Sequence, residues 1–423
     1  MSRFIFKSYS FDAVDLTAHF HYAFDNGREF QETVIFNKAT QYTQEVLDRA
    51  LFLAFVLIGT SYYKSFPTRE VVFASHVIDA WQADFFNKVY QEGLSQFAFE
   101  NGLTRDQLAH FEATNNESRQ QLEYKGSGVL ALESGGKDSL LVAALLEEAG
   151  VVFTPWYVSS AEDHPAILGG FKAPLLTTMR LIDHDNLQKA QTVGGKNGHI
   201  PVTYILQSLA LIQAILLGKS TVVVSIAHEG EEAHEWIGDL PVNHQWSKTW
   251  AAEQAFATYV EKYVAMGLQI GSPLRQYSEL KMAELFAQHA WARYGHSFSS
   301  CNLANYKQGH QNATLTWCGE CPKCANSYLL FAPFIEASEL QSLFNDQDLF
   351  AKPLLETTFK GLLGIDGVMK PFECVGEVEE LRLAYHKAIE RAGYQPLTFE
   401  VPKSSFDYEL LYPAQGWAAE MLQ

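Results

Sequence analysis

Val129-Leu130-Ala131-Leu132-Glu133-Ser134-Gly135-Gly136-Lys137-Asp138-Ser139 is the stretch whose reading decides the fold. Four apolar residues make a short strand, two glycines break it, and from Ser139 to Ala149 the apolar positions recur at helical spacing. Adjacent glycines let backbone N–H groups approach an anion with no Cβ in the way. The helix that follows adds free N–H groups and the positive end of its dipole. Ser134, Lys137 and Ser139 add side-chain donors. The spacing is neither that of a Walker loop nor G-x-G-x-x-G. A tight turn that binds nothing is the competing reading, and the position directly between strand and helix argues against it.

Outward from the loop, strands and helices alternate. Val151 to Val158 reads as a strand, Pro201 to Leu217 as an apolar helix with proline in its first turn, and Thr221 to Ala227 as a β-branched strand buried on both faces. Leu268 to Gly271 is a further strand candidate, before a helix from Ser278 to Tyr294. This alternation predicts an α/β fold, a doubly wound parallel sheet with helices on both faces. Residues 1–124 differ in character. Phe4 to Ser8, Thr17 to Phe24 and Phe30 to Phe36 alternate with period two around Asp25-Asn26-Gly27, and Thr43 to Tyr63 then takes helical spacing. We therefore expect an N-terminal α+β domain over 1–124, an α/β domain over 125–295 and a metal-binding, helical C-terminal region over 296–423.

Four of the five cysteines fall together as Cys301-x16-Cys318-x2-Cys321-x2-Cys324. Paired thiols two residues apart suit tetrahedral Zn²⁺, and four ligands leave no open position, so the zinc would be structural. Cys374 stands apart and reads as a packing residue. Acidic residues outnumber basic ones, 49 to 31, for a net charge of −18. That balance argues against nucleic acid as partner, because phosphate contacts leave a Lys/Arg footprint. The longest apolar run, Leu51 to Gly59, is about half of the ~20 residues a membrane helix needs. The expectation is a soluble cytoplasmic protein with no membrane partner.

The string Ser134-Gly135-Gly136-Lys137-Asp138-Ser139 after an apolar strand resembles the PP-loop of the ATP pyrophosphatase superfamily. The resemblance implies that these six residues hold the pyrophosphate of ATP, with Asp138 helping a Mg²⁺. Gly271-Ser272-Pro273-Leu274 followed by Lys281 resembles a second superfamily segment and makes Lys281 a candidate phosphate contact. The loop with its four-cysteine cluster is similar to 7-cyano-7-deazaguanine synthase over residues 129–330, although that family lacks the N-terminal 124 residues.

A wider set of segments resembles the UDP-N-acetylmuramoyl-L-alanyl-L-glutamate epimerases: residues 21–30, Thr60 to Lys64, the loop itself, Gly198 to Thr203 and Val242 to Lys248. That resemblance implies a UDP-muramoyl dipeptide substrate. Its terminal L-Glu would become D-Glu with ATP and Mg²⁺, through adenylation of the carboxylate, giving AMP and pyrophosphate. Adenylation makes the α-proton far more acidic, and a general base can then remove it. His228 and Glu229, leading the acidic run Glu231, Glu232, His234 and Glu235, follow the strand ending at Ala227, where open α/β sheets place ligand chemistry. His244 and Lys248 form a helix-spaced pair, and His199 closes the glycine-rich segment Gly194 to Gly198, which could hold an anion or act as a lid. The candidate catalytic residues are Lys137, Asp138, His228, Glu229, His244 and Lys248. Two alternatives stand beside the epimerase: an amidating ligase of the same superfamily and, against the charge, a tRNA-modifying enzyme.

Overall fold

A computed structural model describes residues 3–115, 120–161, 163–307 and 314–422. The alternating N-terminus forms an antiparallel meander of β1 (Phe4–Asp12), β2 (Thr17–Phe24) and β3 (Glu29–Ile35), and β4 (Val71–Phe73) joins β1 in parallel. The α/β part supplies β5 (Val129–Leu132), β6 (Phe153–Ser159), β7 (Leu176–Leu181) and β8 (Thr221–Val223). A small antiparallel ribbon of β9 (Glu235–Ile237) and β10 (Leu240–Val242) follows, then β11 (Gln269–Gly271).

All strands except the ribbon belong to one nine-stranded sheet in the order β11-β8-β5-β6-β7-β3-β2-β1-β4. The five from β11 to β7 run parallel, and β7 meets β3 antiparallel through Thr33–Leu181, Val34–Arg180 and Ile35–Met179. The expected parallel sheet is therefore mixed. The change in sequence character after residue 124 is no boundary in the sheet, which runs across it. Within the parallel part, strand order reverses at β5: β6 lies on one side and β8 on the other. Such a switch point opens a crevice at the carboxyl ends of the strands.

Alternation along the strands builds a core on each face. Leu130 and Val222 pack with the Gln44–Ile58 and Val202–Leu216 helices. Val129, Ala131 and Val223 pack with the Lys137–Glu148 and Glu279–His289 helices. The Val202–Leu216 helix is apolar nearly all round because the sheet covers one side and the Gln44–Ile58 helix the other. Gln44–Tyr63 taken together is 20 residues and apolar enough to cross a membrane, but its most apolar window is 94% buried inside the protein. The bend between its two helices falls at Gly59, where a Cβ would lie 2.7 Å from Phe6 and from the Tyr90 hydroxyl.

β7 escapes the sequence reading because its buried face is polar. Thr178 Oγ1 accepts from Trp156 Nε1 at 2.9 Å and donates to Gln213 at 3.2 Å. Arg180 Nε donates to Glu32 Oε1 at 2.6 Å, and Tyr62 donates to the other Glu32 oxygen at 2.8 Å. Beyond the cysteines, the chain is helical as expected, with Pro322–Phe331 and Val378–Ile389 packed on Glu279–His289. The C-terminal tail returns to the sheet: Tyr412 N donates to Gln276 O, and Gln415 Nε2 to Ile270 O and Glu253 Oε1.

Candidate active site

The loop between β5 and its helix is held by its own hydroxyls. Ser139 Oγ accepts from Ser134 N at 3.1 Å and lies 3.2 Å from Ser134 Oγ, which accepts from Gly136 N at 3.3 Å. Gly135 has φ +78°, and a Cβ there would also meet Leu315 Cδ1 at 2.7 Å, so both backbone and space require glycine. Lys137 opens the helix with only 5% exposure.

Lys137 Nζ donates to Asp138 Oδ1 and, at 2.9 Å, to Glu279 Oε2. Glu229 joins them, so that one carboxylate oxygen each from Asp138, Glu229 and Glu279 lies within 4.8 Å of the others. Lys248 Nζ donates to Glu229 Oε2 at 3.1 Å, while Glu229 Oε1 is buried with no hydrogen-bond partner. Burial pushes the Glu279 carboxyl up despite Lys137; burial opposes ionisation of Asp138 too, but Lys137 and Lys248 hold it below the usual range. Lys248 stays charged in the interior against its own desolvation because Cys374, Glu229 and Asp138 surround it. Three carboxylate oxygens with an unused buried lone pair are the donor set of a hard divalent cation.

Beside this cluster lies a cavity of about 480 Å³. Its walls are the carboxyl-terminal parts of the switch-point strands and the residues that follow them: Leu132 to Ser134, Trp156 to Val158 and Val224 to Ile226, closed by Val202, Thr203 and Gln207 of the helix and by Lys248 and Asn302. Its lining is mostly apolar and aromatic, with Glu133, Gln207, Lys248 and Asn302 among its polar groups, the character of a small-molecule pocket.

Close to the loop, where a Cβ on Gly136 would lie 3.2 Å from Ser300 Oγ, the four thiols close on one another. Cys301–Cys321, Cys318–Cys324 and Cys321–Cys324 are each 3.6 Å apart, Sγ to Sγ. Tetrahedral Zn–S bonds of about 2.3 Å require sulfurs roughly 3.8 Å apart, so the cluster could hold such a metal without rearrangement. Backbone N–H groups of Ala304, Gly319 and Glu320 donate to the sulfurs, as thiolates require. Gly319 takes φ +68° to make this turn.

Comparison with known proteins gives the lineage. The profile of the MurL N-terminal domain matches residues 1–272, and that of the MurL C-terminal domain matches residues 297–399. The chain belongs to the MurL family. It is 34% identical to the UDP-N-acetyl-alpha-D-muramoyl-L-alanyl-L-glutamate epimerase of Xanthomonas oryzae pv. oryzae, over 93% of this chain and 87% of the relative. Proteins of the same name from Salinispora tropica and a Micromonospora species are 33% and 34% identical, over 93% and 90% of this chain and 86% and 85% of the relatives.

In this MurL-family chain the structure brings together Lys137, Asp138, Glu229 and Lys248 of the residues singled out in the sequence. It places His228 otherwise: its ring stacks on Tyr412, centroids 3.5 Å apart, and burial beside Arg275 pushes it down to about 4. His244 lies in a histidine group, its ring 4.4 Å from His199 and 6.5 Å from His234, with Nδ1 2.6 Å from Gln96 Oε1. Lys281 pairs with Glu284 at 2.6 Å and Glu409 at 2.8 Å. The residue of its helix that meets the loop is Glu279, which the sequence reading passed over. The N-cap explains the arrangement: Ser278 Oγ accepts from Lys281 N at 3.2 Å, which starts the helix with Glu279 turned inward. Cys374, read as a packing residue, is half-buried, and its backbone oxygen accepts from Lys323 Nζ. Glu133 was also passed over; its carboxyl is buried beside Ser139, and burial pushes it well above the usual range.

Proposed function

We propose that this protein epimerises the terminal glutamate of a UDP-muramoyl-L-alanyl-L-glutamate, from L to D, for peptidoglycan precursor synthesis. The observation that carries the proposal is the likeness to epimerases of that name along 93% of the chain. The Lys137–Asp138–Glu229–Glu279–Lys248 cluster at the switch point supports an ATP-driven route. On this reading the chain is an ATP-dependent isomerase of the PP-loop type.

A free carboxylate resists loss of its α-proton, because the resulting enediolate would carry two charges. The substrate carboxylate oxygen attacks the α-phosphorus of ATP, and pyrophosphate leaves from the glycine loop. Ser134 to Ser139 orient the β- and γ-phosphates, and Lys137 stabilises the negative charge that develops on the leaving group. Mg²⁺, held by Asp138, Glu229 and Glu279, would supply further neutralisation. The acyl adenylate then loses its α-proton to a base, regains one on the opposite face, and is hydrolysed to the carboxylate and AMP. Lys248 lines the cavity and, being charged, can supply a proton; His244, set beside His199 and Gln96 outside the lining, is the other candidate acid–base group. A Zn²⁺ held by Cys301, Cys318, Cys321 and Cys324 would have a structural role, tying that segment to the sheet domain.

Incubation with UDP-muramoyl-L-Ala-L-Glu, ATP and Mg²⁺ in deuterated water tests the reading. Deuterium at the glutamate α-carbon with stoichiometric AMP is the expected result. Turnover that needs ammonia and leaves the α-carbon unlabelled would overturn it in favour of an amidating ligase.

A further inference from the structure

A second cavity, of about 410 Å³, lies outside the site already described. Ser61 and Lys64 form one wall, His184 and Gln188 another, and Lys196 and Asn197 a third. No acidic side chain lines it among the described residues, although the chain carries a net charge of −18. The nearby carboxylates are committed elsewhere. Glu32 is bonded to Arg180 and Tyr62, and Asp183 accepts from the backbone N–H groups of Gln31 and Asn186.

Among the described residues the hydrogen-bond partners of the two lysines are neutral. Lys64 Nζ donates to Gly198 O at 3.1 Å, and Lys196 Nζ to Asn101 O at 3.4 Å. Each ammonium has three donors, so each retains capacity toward the cavity. Both lysines are half-buried, and an anion brought between them would supply a counter-charge. Burial, with Arg180 nearby, pushes Lys64 down to about 8.

The position is also informative. Ile182, which directly follows β7, lines this cavity, and Val158 near the end of the neighbouring β6 lines the first. Ile200 lines the second cavity and Val202 the first, so one turn of chain divides them. A long ligand can therefore occupy both at the same end of the sheet.

We propose that this second cavity seats the nucleoside diphosphate end of the substrate, with the phosphates on Lys64 and Lys196 and the pyrimidine edge on the amides of Gln188 and Asn197. The inference rests on the epimerase reading for the identity of the ligand, and on the two lysines for its place. Primary amides carry both donors and acceptors and so match the imide edge of a uracil. Charge-assisted bonds from lysine suit phosphate oxygens.

The test is calorimetric titration of the full chain with UDP, AMP and inorganic pyrophosphate. UDP is expected to bind wild type, to bind alongside AMP without competition, and to weaken about tenfold or more in Lys196→Ala and in Lys64→Ala. Lys196 lies on a partly exposed segment, so its variant reports even if Lys64→Ala fails to fold. Unchanged UDP affinity in Lys196→Ala, displacement of UDP by AMP, or pyrophosphate binding as tight as UDP would each overturn the proposal. The epimerase reading fails separately: lysine-dependent UDP binding without α-deuteration would keep the seat and remove the reaction.

Discussion

Lys137 and Glu279 stand 142 positions apart in the chain and meet with Nζ and Oε2 2.9 Å apart, both buried. The contact locks the first turn of the loop helix to the first turn of a helix in the other half of the α/β region. It also leaves an ammonium beside three carboxylates, the arrangement that the proposed ATP-driven route would use.

Lys137→Ala is expected to abolish pyrophosphate release. It should also destabilise the fold, because Glu279 and Asp138 lose their counter-charge; breaking a buried pair costs about 3–5 kcal/mol. Pyrophosphate assay and thermal melting check the two effects independently. A variant that still releases pyrophosphate at the wild-type rate would remove the loop from the chemistry.

Glu229→Gln separates the cation from the ion pair. The amide oxygen can still accept from Lys248, but a counter-charge is lost, so stability should fall by less than in Lys137→Ala, which removes the partner of two carboxylates. The anionic oxygen offered to a divalent cation is lost, and the Mg²⁺ concentration for half-maximal activity should rise by about tenfold or more. A Mg²⁺ titration of AMP formation reads this directly, and an unchanged midpoint would exclude Glu229 as a ligand.

What was legible in the sequence follows from how local each signal is. The loop could be read because its strand, glycines and helix are contiguous, and the cysteine cluster because three of its members span seven positions. Glu279 was not legible, since nothing near it in the chain marks it as facing the loop; the resemblance pointed to its helix but to Lys281, two positions on. β7 was missed because Thr178 and Arg180 look solvent-seeking until Trp156, Gln213 and Glu32 are brought alongside. Likewise the meander read as a region of its own, because the pairing of β3 with β7 joins residues nearly 150 positions apart.

Metal analysis should find about one zinc per chain, and a chelator should lower the melting temperature. Cys324→Ser is expected to do the same without chelator, because Cys324 Sγ is buried within 3.6 Å of both Cys318 and Cys321. Melting curves with and without chelator check this; a wild-type curve indifferent to chelator would mean the thiols hold no metal.

The pH dependence of stability has two opposed limbs. Burial, with neighbouring charges, pushes His199 and His234 down to about 3 and His244 to about 4. The unfolded chain protonates these rings near 6.5 and the folded protein does not. Their contribution is therefore complete above pH 6.5 and is lost as pH falls toward 3–4. Glu380 behaves oppositely: burial pushes it up to about 8, with Glu279 adding to the effect. The folded protein keeps that proton when the unfolded chain has lost it, so its contribution is complete below about 4.5 and is lost as pH rises through 8. Glu380→Gln keeps an acceptor for Leu280 N, which Glu380 Oε1 now holds at 2.7 Å, and removes the titration. Urea midpoints measured from pH 4 to 9 should therefore coincide for wild type and variant at the acid end, and above pH 8 the variant should be the more stable. Parallel curves across the whole range would mean that Glu380 ionises freely in the folded protein and that its burial against the Glu279–His289 helix costs nothing.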